Sequence, residues 1–556
     1  MNQIPGLDAS FLHLETAQMP MHVGALHNFE LPADYRGDFA ADMRRHMAAR
    51  IALAPALRQK LQSLPMNFAN PVWIDAEPDL EQHIVAIHLP DGSGQAELET
   101  QVGQLHPVLL PRDRPLWKFH VFDGLADGPQ GRKRFAMYTQ LHHAAVDGQA
   151  AVALGRAILD LSPAPAEIAV APPRQPRGQL GLAEVLRGAL ANQFDLVVNA
   201  VKAIPGTVGV LSQMAAQKAG ASAGDTVGRM VLRLKGQGAS ARGKSVSNLA
   251  LAPRTRLNTT VSPQRAFATV SLPLAALNVA RRKHGASLND AVLMICSGAL
   301  RRDFLKHGPL PRKSMVAGVP ISTRTKGDTA SNNQATMTVV NLGTNIADPA
   351  KRLRHVLAAT AAMKNNLGAM KSLMPTDFPS FGVPWLMEGL GALYAKARVA
   401  DRLPAVANVT ISNVPGPTVP LYMAGARMLT NYPTSIVVHG VALNITVQTY
   451  DESLEFGLIA CARAMPEVAE LACHVQAAFE EFEALPPTPA PGVVPVDASV
   501  ARGPARKATA KEPAATKRTA KPPPARRTPA SSGARAVANA TKVARGSAPS
   551  KKRAAR

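Results

Sequence analysis

The chain has 556 residues, of which 46% are hydrophobic, and a formal net charge of +23 at pH 7. This length predicts two domains plus further segments, and no stretch approaches the ~18 consecutive apolar residues of a membrane-spanning helix. The first residues lack the basic stretch and apolar core of a secretory signal, and the three cysteines have no paired spacing. We therefore expect a cytoplasmic protein with buried, reduced thiols, and neither a disulfide framework nor a zinc site.

The N-terminal region carries a strand pattern followed by a helix pattern. Residues 23–29 alternate between apolar and polar, and residues 38–54 place apolar side chains at helical spacing. His13 and His22 lie in segments whose pattern indicates packing, so we assign neither of them a proton-transfer role. Arg58 ends the sequence Pro-Ala-Leu-Arg, where the simplest interpretation is a surface arginine.

A predicted hairpin precedes the most informative stretch of the chain. Residues 118–125 and 134–141 are typical of strands, and the polar residues 127–131 between them indicate a turn. We interpret Pro115-Leu116-Trp117, just before the first strand, as structural. The proline ends whatever precedes it, and the indole ring supplies apolar area.

His142 and His143 stand where the second strand of this hairpin ends, and Asp147 and Gly148 follow them closely. Residues 149–159 are rich in alanine and leucine and predict a helix. Neutral imidazole can take a proton from an alcohol and return it, the aspartate can brace the turn, and the glycine permits a tight bend. The alternative is a pair of ordinary, partly buried histidines. Metal binding fits poorly, because adjacent strand residues face opposite sides of a sheet.

The composition changes after this region. Five prolines between residues 163 and 176 indicate a linker, and residues 182–201 place apolar side chains at helical spacing. We expect this helix to pack between the two halves of the chain, with a membrane-facing role as the alternative. Residues 220–246 are rich in Gly, Ser, Ala, Lys and Arg, and are expected to be mobile and exposed.

The second half begins near residue 255. Ser287 is a good helix N-cap, and Asp290 at the third helical position suits the free amides and the dipole of the helix, so a capped helix accounts for Asp290. Asn289 stands next to Asp290. Arg324 follows a predicted buried strand and enters a polar loop, where a solvated side chain is the simplest interpretation.

The C-terminal part of this half predicts more strands. In residues 408–417, valine and isoleucine build a strand and Pro-Gly-Pro imposes a rigid exit, which we interpret as architecture bridging two sheets. Residues 436–439 and 442–450 are expected to pair as strands, and residues 454–460 to continue the sheet. A closing helix is predicted over residues 465–484.

The C-terminal tail carries most of the positive charge. Residues 501–556 contain sixteen lysines and arginines and a single acid, so +15 of the net charge of +23 lies there. Few large apolar residues remain after residue 486, and the tail is therefore expected to be disordered. Anionic lipid and DNA are the expected partners, with a purely solubilising role as the alternative. Aromatic residues are lacking, which argues against stacking on single strands.

Taken in order, five stretches of the chain resemble the bacterial wax ester synthase/diacylglycerol acyltransferases of the CoA-dependent acyltransferase superfamily. They are residues 6–24, Pro115-Leu116-Trp117, the HHxxxDG spacing of residues 142–148, Asn289-Asp290, and the Asn-Val-Pro-Gly-Pro of residues 413–417. The resemblance covers about residues 1–485. It implies an α/β fold of two chloramphenicol acetyltransferase-like sandwich domains with mixed sheets and a channel between them. The expected domains are an N-terminal half over 1–162, a linker region over 163–254, a C-terminal half over 255–485 and a disordered basic tail over 486–556.

The resemblance also implies roles for individual residues. His143 would be the general base and His142 a supporting residue, while Asp147 and Gly148 would be mainly structural. Asn289 would contact the substrate or a developing oxyanion, with Asp290 in support.

Two arginines are candidate partners of the motif aspartate. By resemblance to related condensation domains, Arg58 would pair with Asp147, and such a buried pair is costly to break. Arg324 is the second candidate partner for Asp147, or a phosphate contact for CoA.

The activity that the resemblance implies is transfer of a long-chain fatty acyl group from acyl-CoA to diacylglycerol, a long-chain alcohol, or both. No serine or cysteine stands in a nucleophile elbow, so an acyl-enzyme is not expected. Acyl-CoA is then a substrate, no cofactor or metal is expected, and the protein would touch the inner membrane or lipid bodies peripherally.

The alternative is a non-catalytic lipid-body or nucleoid-associated protein that works through its basic tail. The sequence does not rank the two acceptors, because one methylene changes binding by only ~1–3 kcal/mol.

Overall fold

The computed structural model describes residues 4–63, 70–146, 148–165, 251–322, 335–370, 399–402 and 404–487. Residues 1–489 form one compact unit. Its described strands are β1 (His22–Glu30), β2 (Gln59–Gln62), β3 (Val72–Asp75), β4 (Ile84–Ser93), β5 (Trp117–Leu125), β6 (Arg134–His142), β7 (Arg265–Pro273), β8 (Val316–Ser322), β9 (Ala335–Asn341), β10 (Val409–Val414), β11 (Tyr422–Met423), β12 (Ala426–Thr434), β13 (Leu443–Tyr450) and β14 (Ser453–Cys461).

Helices alternate with these strands. The described helices are α1 (Gly6–Leu14), α2 (Phe39–Arg50), α3 (Leu80–His83), α4 (Gln95–Leu105), α5 (Gly148–Ile158), α6 (Leu274–Lys283), α7 (Leu288–His307), α8 (Pro349–Met370) and α9 (Val468–Glu483). The predicted helices over residues 38–54, 149–159 and 465–484 are confirmed. Within the described part of the chain, no helix has the length and apolar content needed to cross a membrane.

Two mixed six-stranded sheets organise the compact unit. The first has the order β11-β12-β1-β6-β5-β4, in which β6 runs antiparallel to β1 and β5, and β4 runs parallel to β5. The second has the order β7-β14-β13-β10-β8-β9, in which β10 runs parallel to both β13 and β8. The mixed α/β architecture with two sheet-based halves is thus confirmed.

The two halves share strands. After β10 the chain leaves the second sheet through Pro415-Gly416-Pro417 and then forms β11 and β12, which extend the first sheet. There β12 pairs antiparallel with β1, with Leu26 opposite Tyr432. The predicted bridging role of this rigid exit is therefore confirmed, and the second half of the chain completes the sheet of the first.

Each sheet has its own apolar core. On the first sheet the rings of Phe29 and Phe135 stack with centroids 5.0 Å apart, and Met43 and Met47 of α2 pack against them. On the second sheet α7 is buried along most of its length. Burial of this apolar area is the main stabilising contribution to both halves.

Two expectations for the second half are wrong. Residues 436–439 do not pair as a strand with 442–450; a single bridge joins Val438 to Val441, and β13 instead lies between β10 and β14. Cys296 and Cys461 are buried as expected, but Cys473 is exposed on α9. The predicted helix at 182–201, the segment 220–246 and the basic tail lie outside the described residues.

Candidate active site

The candidate site lies at the end of β6, a central strand of the first sheet. The last strand residue, His142, donates its backbone N–H to Leu116 O at 3.0 Å, so it continues the ladder toward β5. The next residue, His143, donates its N–H to Met21 O at 2.8 Å. Both histidine backbones are thus hydrogen-bonded to neighbouring segments at the point where the chain turns away from the sheet.

The His142 side chain points into the protein and is only 1% exposed. Its Nδ1 accepts the backbone N–H of Ala144 at 3.0 Å, and its Nε2 lies 3.3 Å from Glu15 Oε1. Burial lowers the pKa of His142, and the neighbouring Glu15 carboxylate offsets this effect only in part. At neutral pH His142 is therefore an uncharged imidazole that is hydrogen-bonded at Nδ1 and close to a carboxylate at Nε2.

The His143 side chain has a different environment. It is half-buried, in the turn that follows β6, and its ring stacks on Phe11 of α1 with centroids 4.2 Å apart and planes 8° from parallel. Stacking fixes the plane of the imidazole without covering its edge. Of the two motif histidines, His143 is therefore the one that a bound molecule can reach.

Of the remaining predicted residues other than Arg58, three lie in the described part of the chain and two lie outside it. Asp290 caps α7 as predicted, since its carboxylate accepts Ser287 N–H at 2.9 Å and Ser287 Oγ–H at 2.6 Å, while Asn289 beside it is half-buried. Gly148 is the first residue of α5. Asp147 and Arg324 lie outside the described residues, and the roles proposed for them stay predictions.

Arg58 has a partner that sequence reasoning did not propose. Its Nη2 lies 2.9 Å from Glu77 Oε2, and its side chain is about one-third exposed. An exposed pair of this kind contributes little to stability, roughly 0–1 kcal/mol. Among the described residues, the ion-pair partner of Arg58 is Glu77. Asp147 is not among them, so the pairing of Arg58 with Asp147 stays a prediction.

Sequence reasoning missed residues that surround the two histidines. Phe11 and Glu15 come from α1 and its C-terminal end, and His22 opens β1 directly opposite His142. His22 was interpreted as packing alone, yet its Nε2 lies 3.4 Å from Glu15 Oε1. The opening segment holds two carboxylates, Asp8 and Glu15, and no local pattern distinguishes Glu15 from Asp8.

Buried histidines on this sheet make stability dependent on pH. Burial lowers the pKa of His27 on β1 to about 4, whereas an unfolded chain leaves it near 6.5. Between these values the unfolded chain binds a proton that the native protein does not, so stability falls as pH falls. We expect His27→Gln to reduce the loss of unfolding free energy between pH 7 and 5 by ~2 kcal/mol. Urea unfolding at both pH values measures this, and equal losses in the variant and the parent would contradict it.

Comparisons with known proteins agree with this geometry. Residues 4–292 match the model of the wax ester synthase/diacylglycerol acyltransferase catalytic domain, and residues 331–483 match that of the WS/DGAT C-terminal domain. A Mycobacterium tuberculosis protein named as a diacylglycerol O-acyltransferase is 34% identical over 478 residues, covering 86% of this chain and 98% of that protein. The O-acyltransferase WSD of Acinetobacter baylyi is 32% identical over 487 residues, covering 87% and 97%.

A solved structure supports the same assignment. The wax ester synthase/diacylglycerol acyltransferase from Marinobacter aquaeolei superposes with a TM-score of 0.58 at 25% identity, covering 87% of this chain and 99% of that one. The expected family fold, with two chloramphenicol acetyltransferase-like halves, is thereby confirmed, and the alternative of a non-catalytic binding protein has no support. The chain therefore belongs to the wax ester synthase/diacylglycerol acyltransferase family and is an acyltransferase.

Proposed function

We propose that this enzyme transfers a fatty acyl group from acyl-CoA directly to the hydroxyl of diacylglycerol or a long-chain alcohol, with His143 as the general base. The observation that carries the proposal is the division of roles between the two histidines. His142 is buried, hydrogen-bonded at Nδ1 and 3.3 Å from the Glu15 carboxylate at Nε2, whereas His143 is half-buried with its ring oriented by Phe11. The names of the relatives and of the matched family supply the substrate classes.

In the proposed reaction His143 takes the proton of the acceptor hydroxyl as the oxygen attacks the thioester carbonyl carbon. The new C–O bond forms a tetrahedral intermediate, which collapses as the C–S bond breaks. The CoA sulfur leaves with the electron pair and takes the proton back from His143. Holding both substrates at one base could contribute several orders of magnitude to the rate.

A route without an acyl-enzyme suits the environment of Cys296 on α7. Burial raises the pKa of Cys296 to about 12, so this thiol is neither ionised nor reachable. Asn289, at the start of α7, is the proposed contact for the substrate or the oxyanion, because its amide can donate a hydrogen bond to developing negative charge.

The proposal is tested by incubating the purified full chain with radiolabelled palmitoyl-CoA and either hexadecanol or diolein. Labelled wax ester, triacylglycerol or both should form, and the ratio ranks the two acceptors. In a quenched reaction without acceptor the protein should carry no label. Product in neither tube would refute the activity, and label on the protein would refute direct transfer.

The basic tail is proposed to hold the enzyme peripherally at an anionic surface, such as the inner membrane or the coat of a lipid body. Residues 501–556 carry a net charge of +15, and each basic residue near an anionic membrane contributes about 1 kcal/mol of attraction. DNA is the competing anionic surface.

Removing the tail should separate association from catalysis. We expect residues 1–486 alone to keep the acyl transfer rate with detergent-dispersed substrates and to lose co-sedimentation with vesicles containing anionic lipid. Neutral vesicles serve as the control, and a DNA shift assay forms a parallel arm. Unchanged sedimentation of the shortened chain would show that the tail has no such role, and a shift with DNA alone would assign the tail to nucleic acid instead.

A further inference from the structure

A buried carboxylate lies behind the two histidines. Glu15 lies at the C-terminal end of α1 with its side chain 3% exposed, and its Oε1 lies 3.3 Å from His142 Nε2 and 3.4 Å from His22 Nε2. The same oxygen accepts the backbone N–H of Met21 at 3.2 Å. Arg112 Nη2 lies 3.1 Å from the other oxygen, Oε2. Both carboxylate oxygens are thus engaged by donors.

These contacts keep Glu15 ionised. Burial alone would raise its pKa, but the polar contacts with the rings of His142 and His22 hold that pKa well below its usual range. A buried ionised carboxylate is stable only where it is paired and hydrogen-bonded, and Arg112 provides the positive partner. At neutral pH the site therefore contains a negative charge with a fixed direction.

The Ala144 amide and the Glu15 carboxylate together determine which nitrogen of His142 carries the proton. Nδ1 accepts the N–H of Ala144, so this nitrogen is unprotonated and the proton resides on Nε2, facing Glu15. The other tautomer would bring an N–H against the Ala144 N–H, and a ring turned over would present a C–H instead of the Nε2 N–H to the carboxylate. Glu15 therefore holds the His142 ring in one orientation.

The His142 ring in turn holds the loop that presents His143. Its Nδ1 fixes the Ala144 amide, and Ala145 N–H donates to His142 O at 2.9 Å, so the turn that contains His143 is closed on both sides. The same helix α1 that ends next to Glu15 supplies Phe11, which stacks on His143. One short element thus supports both histidines, His142 by charge and His143 by stacking.

We propose that Glu15 is a positioning residue of the acyltransferase reaction, which acts through His142 to hold His143 where the acceptor hydroxyl binds. This inference rests on the proposed role of His143. A misplacement of about 1 Å at a reacting group costs on the order of 10²-fold in rate. Loss of Glu15 should therefore reduce kcat, while the binding of both substrates is retained.

The test compares Glu15→Ala and Glu15→Gln with Glu30→Ala as the matched control. Glu30 is the last residue of β1, at the end of the strand away from His22, and its carboxylate lies 2.7 Å from Arg132. The arginine side chain is 45% exposed in this pair, as it is in the pair of Arg112 with Glu15. For Glu15→Ala we expect kcat to fall ~10²-fold, with KM for palmitoyl-CoA and for acceptor changed less than ~3-fold. Glu15→Gln keeps an acceptor oxygen for His142, so kcat should recover most of the loss. Glu30→Ala should match the parent.

A second measurement does not depend on activity. In full-length protein labelled with ¹⁵N-histidine, the His142 resonances are assigned by their loss in His142→Gln. They should report a single tautomer protonated on Nε2 in the parent and in Glu15→Gln, and a mixture in Glu15→Ala. The Gln variant, which conserves volume, keeps the test decisive if Glu15→Ala fails to fold.

The outcomes separate this inference from the proposed reaction. An unchanged His142 tautomer in Glu15→Ala, or a kcat loss no larger than that of Glu30→Ala, would overturn the positioning role. The positioning role would also be overturned if kcat per folded molecule were unchanged and the activity fell only because less protein folded. A parent enzyme without acyl transfer activity would refute the proposed function instead, and the tautomer measurement would still report on Glu15.

Discussion

His143→Ala is expected to lower the rate of acyl transfer from palmitoyl-CoA by ~10²–10⁴-fold, the range that a positioned general base contributes. The variant should remain folded, because the His143 side chain is half-buried and the backbone N–H bond to Met21 O does not involve it. Initial rates of CoA release and of ester formation should fall together, since both follow from the same proton transfer.

His88→Ala is the control for this substitution. His88 lies on β4 of the same sheet, but its side chain is 68% exposed and contacts Asp123 at 2.8 Å, far from any role in the proposed reaction. Its rate should match that of the parent. Near-normal turnover by His143→Ala, with circular dichroism unchanged, would refute the assignment of the base.

Arg50→Met is expected to destabilise the protein by ~3–5 kcal/mol, the usual cost of leaving one member of a buried ion pair uncompensated. Arg50 is the last residue of α2 and is 4% exposed, and its Nη2 donates to Asp160 Oδ1 at 2.6 Å. Asp160 follows α5, the helix that begins at Gly148, and exchanges backbone hydrogen bonds with Tyr422 of β11. The pair therefore joins the helix after the histidine motif to α2 and to the shared part of the sheet.

Urea unfolding of the full chain measures this loss against Arg132→Met. The Arg132 pair with Glu30 is 2.7 Å long but exposed on the arginine side, so its loss should cost less than ~1 kcal/mol. Adding Asp160→Leu to Arg50→Met should recover part of the stability, because the orphaned charge is then removed. Equal stability of the two single arginine variants would contradict a buried, interdependent pair.

Much of the fold could be predicted because its elements carry local patterns. The alternation in residues 23–29, the Ser287 cap and the rigid Pro-Gly-Pro exit each depend on a few neighbouring residues, and all three are confirmed. Strand β12 escaped prediction because Pro433 lies inside it, and proline normally excludes a central strand position. Here Pro433 lies opposite Ala25.

The backbone carbonyl of that proline is in close contact with a residue far away in the sequence. A Cβ on Gly457 would lie 1.7 Å from Pro433 O, so only glycine lets β14 approach β12 this closely. Such a contact depends on how the two sheets meet, which no local pattern encodes.

The site shows the same division between local and non-local information. The histidine pair was predicted because strand end, motif spacing and helix start are contiguous in the chain. Glu15 was missed because its function depends on the register that places His22 opposite His142, and on Arg112 arriving from a separate loop. Long-range pairing of polar groups leaves no periodic trace in the sequence.

The most direct test of the central claim is chemical rescue. In His143→Gly the vacated space should admit free imidazole, and the rate of ester formation from palmitoyl-CoA should rise with the concentration of its neutral form. His142→Gly, which removes the histidine to which the proposal gives no proton transfer with substrate, should show no such response. Rescue confined to the His143 variant is the predicted result. Full activity of His143→Gly without imidazole, or no response at any imidazole concentration, would contradict a proton-accepting role for His143.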